Sequence, residues 1–215
     1  MTTHSIDLYL APGACSLAPH ILLHEVGVPF STTIVSVKSG LPADFKTVNP
    51  KMRVPVLIMD GHTITEVPAI MLATSQLAPE KGLMGETDLE KVRVLEWLNW
   101  LSGTLHGQAF GGLLRPGRYT DDEKLYEAIR EKGLRNLKEG FGQIEAWLGE
   151  GQGAKYTVGG RFMGVDALLY VFYRWGVGRG FDMQKEYPRF AELAREVEGR
   201  EATVMALASE HLAAL

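Results

Sequence analysis

The sequence predicts a mixed α/β region followed by an all-helical region. In the first eighty residues, short β-branched runs alternate with segments of helical periodicity, whereas from about residue 88 onward apolar residues recur at helical spacing alone. The chain has 215 residues, of which 46% are hydrophobic and 22% charged, which is enough to bury a sizeable core. We therefore expect an α/β domain in residues 1–82 and a helical domain in residues 88–215.

The first half has the predicted element order βαβαββα. Ile6–Leu10 alternates apolar and polar residues and ends at Ala11-Pro12-Gly13, which indicates a strand followed by a turn. Further along, Asp60-Gly61 is a preferred sequence for a tight hairpin between two strands. The remaining predicted elements are a helix over 16–26, a strand over 30–37, a short helix over 43–48, strands over 54–59 and 62–65, and a helix over 66–78.

The sequence pattern of the second half predicts helices throughout. The first helix, over 89–105, has a predicted inward face of apolar residues at helical spacing: Val92, Leu95, Leu98, Leu101 and Leu105. The segment 165–177 is almost wholly apolar, which is typical of a helix buried on all sides. The other predicted helices cover residues 125–148, 189–198 and 202–213.

Charge and cysteine content narrow the classes of function. The net charge is −4 and the isoelectric point about 5.9, so we expect neither a nucleic acid nor a membrane as partner. One cysteine cannot form an internal disulfide, which favours a reducing, cytoplasmic compartment. The first 16 residues lack a basic flank and a long apolar run, so they predict neither a signal peptide nor a spanning helix.

The single cysteine, Cys15, follows the first predicted strand and precedes or opens the first predicted helix. Backbone N–H groups and the helix dipole converge at such a place, so we expect a lowered pKa for the Cys15 thiol. The residue three positions later is Ala18, so no second thiol is available for disulfide cycling within the chain. The alternative is that Cys15 is simply a small buried hydrophobic residue.

Two further local patterns bear on function. Proline at 55 belongs at a strand start, and a cis Val54-Pro55 peptide would turn the Val54 backbone outward toward an extended peptide ligand. His20 and His24 have the i, i+4 spacing of a chelating pair, but no third ligand follows locally. We therefore predict no metal site.

Several stretches carry a resemblance to a known family. They are residues 9–17, 48–51, 54–55, 65–70, 96–100, 105–106 and 159–162, together with Asp166. In this order and at this spacing, the chain resembles a cytosolic glutathione transferase and is most similar to the beta class. The resemblance implies a thioredoxin-like domain followed by an all-helical domain, usually as a homodimer. It also implies glutathione bound mainly to the first domain and an apolar electrophilic small molecule in the cleft between the domains.

The resemblance also assigns residues to the glutathione site. Cys15 would lie beside the glutathione sulfur, and Val54, before the cis-proline, would pair through its backbone with the cysteinyl part. Glu66 would accept the γ-glutamyl ammonium group, while the Val67 N–H remains available to the γ-glutamyl carboxylate. Lys38 would reach the glycyl carboxylate.

Asn99 and His106 match family positions on a long helix that faces the site. Their separation of seven residues places both on one face of an α-helix. His106 would assist proton movement at the second substrate, so the expected catalytic residues are Cys15 and His106.

Two positions depart from the family pattern. The residue after Glu66 is usually serine, but here it is Val67, and Pro68 removes the next N–H. Losing one hydrogen bond to a charged group costs about 1.5–3 kcal/mol, on the order of tenfold in affinity, so we expect weak glutathione binding. Met163 replaces the usual Ser or Thr N-cap before Asp166, at a cost of about 1 kcal/mol in stability.

Three functions follow from these observations. The first is a transferase, in which the glutathione thiolate attacks an electrophilic carbon of the second substrate. The second is a glutathione-dependent cis–trans isomerase of a conjugated substrate, with a biosynthetic role, in which the thiolate adds reversibly. The third is a non-enzymatic module that binds apolar ligands, which the Val67-Pro68 pair favours. We rank them in this order because Cys15, Glu66, Asn99 and His106 are all present.

Overall fold

A computed structural model describes residues 4–37, 40–150 and 155–215, and it confirms the α/β plus all-α class. Four strands form one mixed sheet in the order β2-β1-β3-β4. The strands are β1 (Ile6–Leu10), β2 (Ser31–Ile34), β3 (Val56–Met59) and β4 (His62–Thr65). β1 runs parallel to β2 and antiparallel to β3, and Leu8 lies opposite both Thr32 and Leu57.

The β3–β4 hairpin forms where the sequence predicts it. Asp60 and Gly61 have φ values of 51° and 80°, the left-handed backbone that a type I′ turn requires at both central positions. Helices α1 (Leu17–Val26) and α2 (Val67–Ser75) belong to the same region. The predicted short helix over 43–48 is a 3₁₀-helix, Ala43–Thr47. The first region therefore has the thioredoxin-like arrangement that the resemblance implies.

Helices make up the rest of the chain. Their bounds are α3 (Asp88–Trp100), a π-helix (Leu101–Phe110), α4 (Gly111–Leu114), α5 (Tyr126–Glu150), α6 (Gly164–Gly178), α7 (Met183–Glu186), α8 (Pro188–Glu198) and α9 (Glu201–Ser209), with 3₁₀ turns at Pro79–Lys81, Pro116–Arg118 and Glu123–Leu125. Within the ranges described, no helix has the length and apolar character needed to cross a membrane.

The predicted helix over 89–105 differs from the structure in two ways. It continues past residue 105, because α3 passes directly into the π-helix and then into α4. Its predicted inward face is also partly wrong, since Val92 and Leu95 are 59% and 42% exposed. Leu98, Leu101 and Leu105 are buried as predicted, and Val94 is buried in addition, so the face toward the core differs from the predicted one only in the first turns of the helix.

The π-helix is held tightly against α5. A Cβ atom on Gly133 of α5 would lie 2.5 Å from the backbone nitrogen of Leu113 and 2.9 Å from the carbonyl oxygen of Ala109. Only glycine permits this approach of the two backbones. The crossing fixes the segment that carries His106.

Helix α6 is almost wholly buried, as the sequence predicts, and it packs against α1. One continuous apolar core contains residues of α1 and α2 together with residues of the helical region, including Leu22, Met71, Val165 and Leu168. A smaller cluster between the sheet and its helices contains Leu8, Leu57 and Ile70, among others.

Asp166 supplies the capping interactions at the start of α6. Its carboxylate accepts hydrogen bonds from the Met163 N–H at 2.8 Å and from the N–H and hydroxyl of Thr157 at 3.1 and 2.7 Å. Complete burial nevertheless raises the pKa of Asp166 to about 6. The helix therefore keeps the hydrogen bond from the N-cap N–H to the Asp166 carboxylate, although Met163 lacks the hydroxyl of the usual N-cap residue.

Candidate functional site

The turn after β1 carries Cys15. The residue is 6% exposed, and its sulfur lies 3.6 Å from the Val54 carbonyl oxygen, to which it donates. Burial raises the pKa of Cys15 to about 11, and this effect outweighs the lowering by the Arg115 charge and by nearby backbone N–H groups. The expected lowered pKa is therefore wrong. Cys15 is therefore a neutral thiol donor at neutral pH.

Residues from the helical region fix this turn from the opposite side. The Gly13 N–H donates to the Glu210 carboxylate at 2.8 Å, and the Trp175 indole N–H donates to the Gly13 carbonyl oxygen at 2.8 Å. Sequence analysis singled out neither Glu210 nor Trp175 as a site residue. These contacts join residues 197 and 162 positions apart, and no local pattern signals them.

Glu210 also bonds to α1. Its carboxylate is buried and lies 2.8 Å from the Nδ1 atom of His20, which is itself buried. The rings of His20 and His24 are 5.0 Å apart, and the Nε2 atoms of both lack a partner. In the described part of the chain, no three His, Cys, Asp or Glu side chains are grouped to hold a metal ion.

Val54 lies directly across from Cys15 and precedes a cis peptide bond to Pro55. Its carbonyl oxygen accepts the Cys15 S–H, while its N–H has no hydrogen-bond partner among the described residues. The residue that contacts the thiol through its carbonyl oxygen therefore keeps one free backbone donor.

Glu66 lies between β4 and α2, and its backbone has an unusual conformation. Its φ is 75°, a value that costs a non-glycine residue about 1–3 kcal/mol and that recurs at binding sites. Its exposed carboxylate pairs with Lys51 at 2.6 Å. The strained backbone therefore indicates a functional role for Glu66.

Helix α2 begins directly after Glu66. The N–H groups of Val67 and Ala69 have no hydrogen-bond partner in the described ranges, so two donors remain open at this helix N-terminus. The Val67 side chain is 7% exposed and packs in the core. The Val67 backbone N–H is thus available to a ligand, whereas its side chain is buried.

His106 lies on the π-helix, and its ring packs against Trp175 and Phe172, with centroids 5.2 and 5.8 Å away. Burial first, and then the charges of Arg115, Arg118 and Arg53, lower the pKa of His106 to about 4. His106 is therefore a neutral imidazole at neutral pH.

Asn99 is placed differently from His106. It lies on α3, is exposed, and makes no hydrogen bond within the described residues. The argument for one shared face assumed α-helical spacing throughout, but the helix changes to the wider π form at Leu101. Lys38, the expected partner of a glycyl carboxylate, lies outside the described residues.

Three arginines act on His106, and sequence analysis placed none of them among the site residues. Arg53 directly precedes Val54, and Arg115 and Arg118 follow α4. The Tyr119 hydroxyl donates to the Gly107 carbonyl oxygen, which fastens the arginine-containing turn to the π-helix beside His106.

Comparison with known proteins identifies the family. A model of the glutathione S-transferase N-terminal domain matches residues 13–75. Glutathione S-transferase GST-4.5 of Xanthomonas campestris is 31% identical over 179 residues, which cover 83% of this chain and 86% of that protein. The chain belongs to the glutathione S-transferase family. Glutathione S-transferase GstA of Escherichia coli agrees, with 35% identity covering 79% of this chain and 82% of that protein.

Solved transferase structures match nearly the whole chain. A sphingomonad glutathione S-transferase complexed with glutathione is 36% identical with a TM-score of 0.81, covering 96% of this chain and 100% of that one. A beta-class transferase of Sphingomonas chungbukensis is 32% identical, with the same TM-score of 0.81 and the same coverage of 96% and 100%. The beta-class resemblance is thereby confirmed. A protein named probable maleylacetoacetate isomerase 2 of Drosophila melanogaster is 27% identical, covering 88% of this chain and 81% of that one.

Proposed function

We propose that this transferase-family enzyme binds glutathione and adds its sulfur to an electrophilic carbon of a small molecule. The observation that carries the proposal is the pairing of Cys15 with Val54: a buried thiol 3.6 Å from a backbone carbonyl whose residue also has a free N–H. A cysteinyl peptide unit needs one donor and one acceptor from an extended backbone. Val54 has both groups, and Cys15 lies beside them.

The other end of glutathione would bind at Glu66 and the start of α2. The Glu66 carboxylate suits the γ-glutamyl ammonium, because charge-assisted hydrogen bonds are the stronger kind. The free N–H groups of Val67 and Ala69 suit the γ-glutamyl carboxylate, which the helix N-terminus also attracts. Without a hydroxyl at 67, we expect weaker binding than a serine would give.

Glutathione supplies the nucleophilic thiol of the reaction. Cys15, which burial keeps protonated, would turn its S–H from the Val54 carbonyl oxygen to the glutathione sulfur and stabilise the thiolate form. It would not itself attack, since a thiol with a pKa of about 11 is almost fully protonated at neutral pH. His106, a neutral imidazole on the opposite side of the cleft, would move a proton at the second substrate.

A second candidate function keeps the same site. One relative is named as an isomerase, and reversible thiolate addition to a conjugated double bond would use the same Cys15, Val54 and Glu66 contacts. The two functions differ in product. Conjugation adds the mass of glutathione to the substrate, whereas isomerisation leaves the substrate mass unchanged.

Assembly and compartment are also part of the proposal. We propose a homodimer, supported by exposed apolar side chains on α2 and α3, namely Leu72, Leu89, Val92 and Leu95, which are 41–66% exposed. A cytoplasmic setting is supported by the single cysteine, since no internal disulfide is possible.

The proposal is tested by calorimetric titration with reduced glutathione. We expect micromolar-to-millimolar binding that is weakened about tenfold or more by Glu66→Ala, because an ion-paired hydrogen bond is lost. Glu80→Ala, an exposed carboxylate away from the cleft, is the matched control. Absence of binding at millimolar ligand would favour the non-enzymatic binding module. If glutathione binds, the mass of the product separates conjugation from isomerisation.

A further inference from the structure

Three guanidinium groups near His106 have no anionic partner among the described residues. Arg53, Arg115 and Arg118 are all exposed, and within the described ranges none of them forms an ion pair or a side-chain hydrogen bond. Most other arginines of the chain pair with a carboxylate, as Arg161 does with Glu90 and Arg200 with Glu25. These three arginines are therefore an exception.

The backbone holds two of these arginines in place. Arg115 ends α4, and its N–H donates to the Gly111 carbonyl oxygen at 2.9 Å. The Arg118 N–H donates in turn to the Arg115 carbonyl oxygen at 3.0 Å, which closes a 3₁₀ turn. With Tyr119 bound to Gly107, this turn is fixed at the same helix as His106.

The three positive charges share one neighbour, His106. All of them act on the His106 imidazole, and the charges of Arg115 and Arg53 also lower the pKa of Arg118. Arg115 acts on the Cys15 thiol as well. The carboxylate that also acts on both groups is Glu66, and Lys51 already pairs with it. The surroundings of His106 therefore hold three guanidinium groups without an ion-pair partner among the described residues.

Like charges held together without a partner are unfavourable, and planar guanidinium groups match a carboxylate with two parallel hydrogen bonds. We propose that the second substrate carries a carboxylate, which Arg115 and Arg118 bind beside His106. This inference rests on the proposed glutathione-dependent function and replaces the expected apolar electrophile with an anionic one. Arg53, next to Val54, adds to the attracting field from the glutathione side of the cleft.

The test compares two electrophiles that differ in one group. 4-Fluoro-3-nitrobenzoate carries a carboxylate, and 4-fluoro-3-nitrobenzamide is its neutral counterpart with the same leaving group. After division by the uncatalysed rates, we expect kcat/KM at least about tenfold higher for the carboxylate, on the order of one charge-assisted hydrogen bond. Added salt should reduce that preference, since these arginines are exposed.

Variants assign the effect to residues. Arg115→Gln and Arg118→Gln should each lower kcat/KM for the carboxylate about tenfold more than for the amide. Arg135→Gln, on the exposed face of α5, removes the same charge away from the cleft and should change neither substrate. Equal normalised rates for the two electrophiles, or arginine variants without selective loss, would overturn the proposal.

A binding measurement separates this proposal from the proposed function. The unreactive 4-methyl-3-nitrobenzoate is titrated into the protein by calorimetry, with and without S-methylglutathione. If glutathione itself does not bind, the transferase proposal fails, but weaker anion binding in Arg115→Gln and Arg118→Gln still supports the anion site. Equal affinity for the benzoate and the benzamide analogue overturns the anion site whether or not glutathione binds.

Discussion

The Glu210 carboxylate accepts a hydrogen bond from the Gly13 N–H at 2.8 Å, so a residue that follows α9 fixes the turn that carries Cys15. The same carboxylate bonds to His20 on α1. Gly13 in the turn and His20 in α1 are thus both hydrogen-bonded to one buried carboxylate. The geometry of the thiol depends on a contact between the two regions of the chain.

We expect Glu210→Ala to lower the free energy of unfolding by about 3 kcal/mol, because the part-buried Gly13 N–H and the buried His20 ring would both lose their partner. Urea denaturation followed by circular dichroism measures the change. Glu192→Ala, an exposed glutamate on α8, should change stability by less than about 0.5 kcal/mol. A similar loss in both variants would show that the buried position of Glu210 has no special role.

Cys15 is expected to act as a hydrogen-bond donor and not as a nucleophile. Cys15→Ala should raise the apparent pKa of bound glutathione by about one to two units, because a hydrogen bond to the thiolate is worth about 1.5–3 kcal/mol. Cys15→Ser keeps a donor and should retain most of the effect. The thiolate absorbance of the complex, followed against pH, gives the pKa, and identical values for the two variants would contradict the donor role.

His106 should remain neutral across the usual assay range. Its folded pKa is about 4, against an unfolded value near 6.5, so the unfolded chain binds the proton first and protonation opposes the native state as pH falls through this window. We therefore expect no inflection from His106 in log(kcat/KM) near pH 6.5. NMR of labelled imidazole provides the direct check, and a titration midpoint near 6.5 for His106 would be inconsistent with its burial.

Val67→Ser should exchange stability for affinity. Serine restores a hydroxyl at the start of α2 and should tighten glutathione binding by about tenfold. It also removes buried methyl groups, which contribute about 0.8 kcal/mol each, so the free energy of unfolding should fall by about 1–2 kcal/mol. Calorimetry and urea denaturation measure the two effects. Val67→Ala is the matched control, since it should lose stability without gaining affinity.

The proposed homodimer predicts that a charge on α3 dissociates the protein. Val92→Glu, at an exposed apolar position, should yield a monomer in size-exclusion chromatography with light scattering. Val204→Glu on α9 introduces the same charge at a similarly exposed valine and should leave the assembly unchanged. A wild-type protein that is already monomeric would exclude the proposed interface.

The sequence was sufficient for elements that local chemistry determines. Alternation in Ile6–Leu10 and the Asp60-Gly61 pair predict a strand and a hairpin that the structure contains, because backbone preference and side-chain period act within a few residues. The almost wholly apolar segment around α6 likewise predicts its burial. The family resemblance, and not the spacing, indicated the cis bond before Pro55.

Features that depend on distant contacts could not be predicted. The change from α3 to a π-helix at Leu101 has no local signature, and it invalidates the argument that Asn99 and His106 share a face. The thiol pKa was predicted with the wrong sign because burial of Cys15 is a tertiary property. Glu210 and Arg53 acquire their significance only from neighbours far along the chain.

The continuous core shared by α1, α2 and the helical region has a consequence for recombination between relatives. Exchanging the first eighty residues for those of another family member would place a foreign α1 against α6 and α9. Packing this dense tolerates few changes of volume, so such chimeras should fail unless both sides of the seam are exchanged together. The residues on both sides of this shared core must therefore be kept together in any functional recombinant.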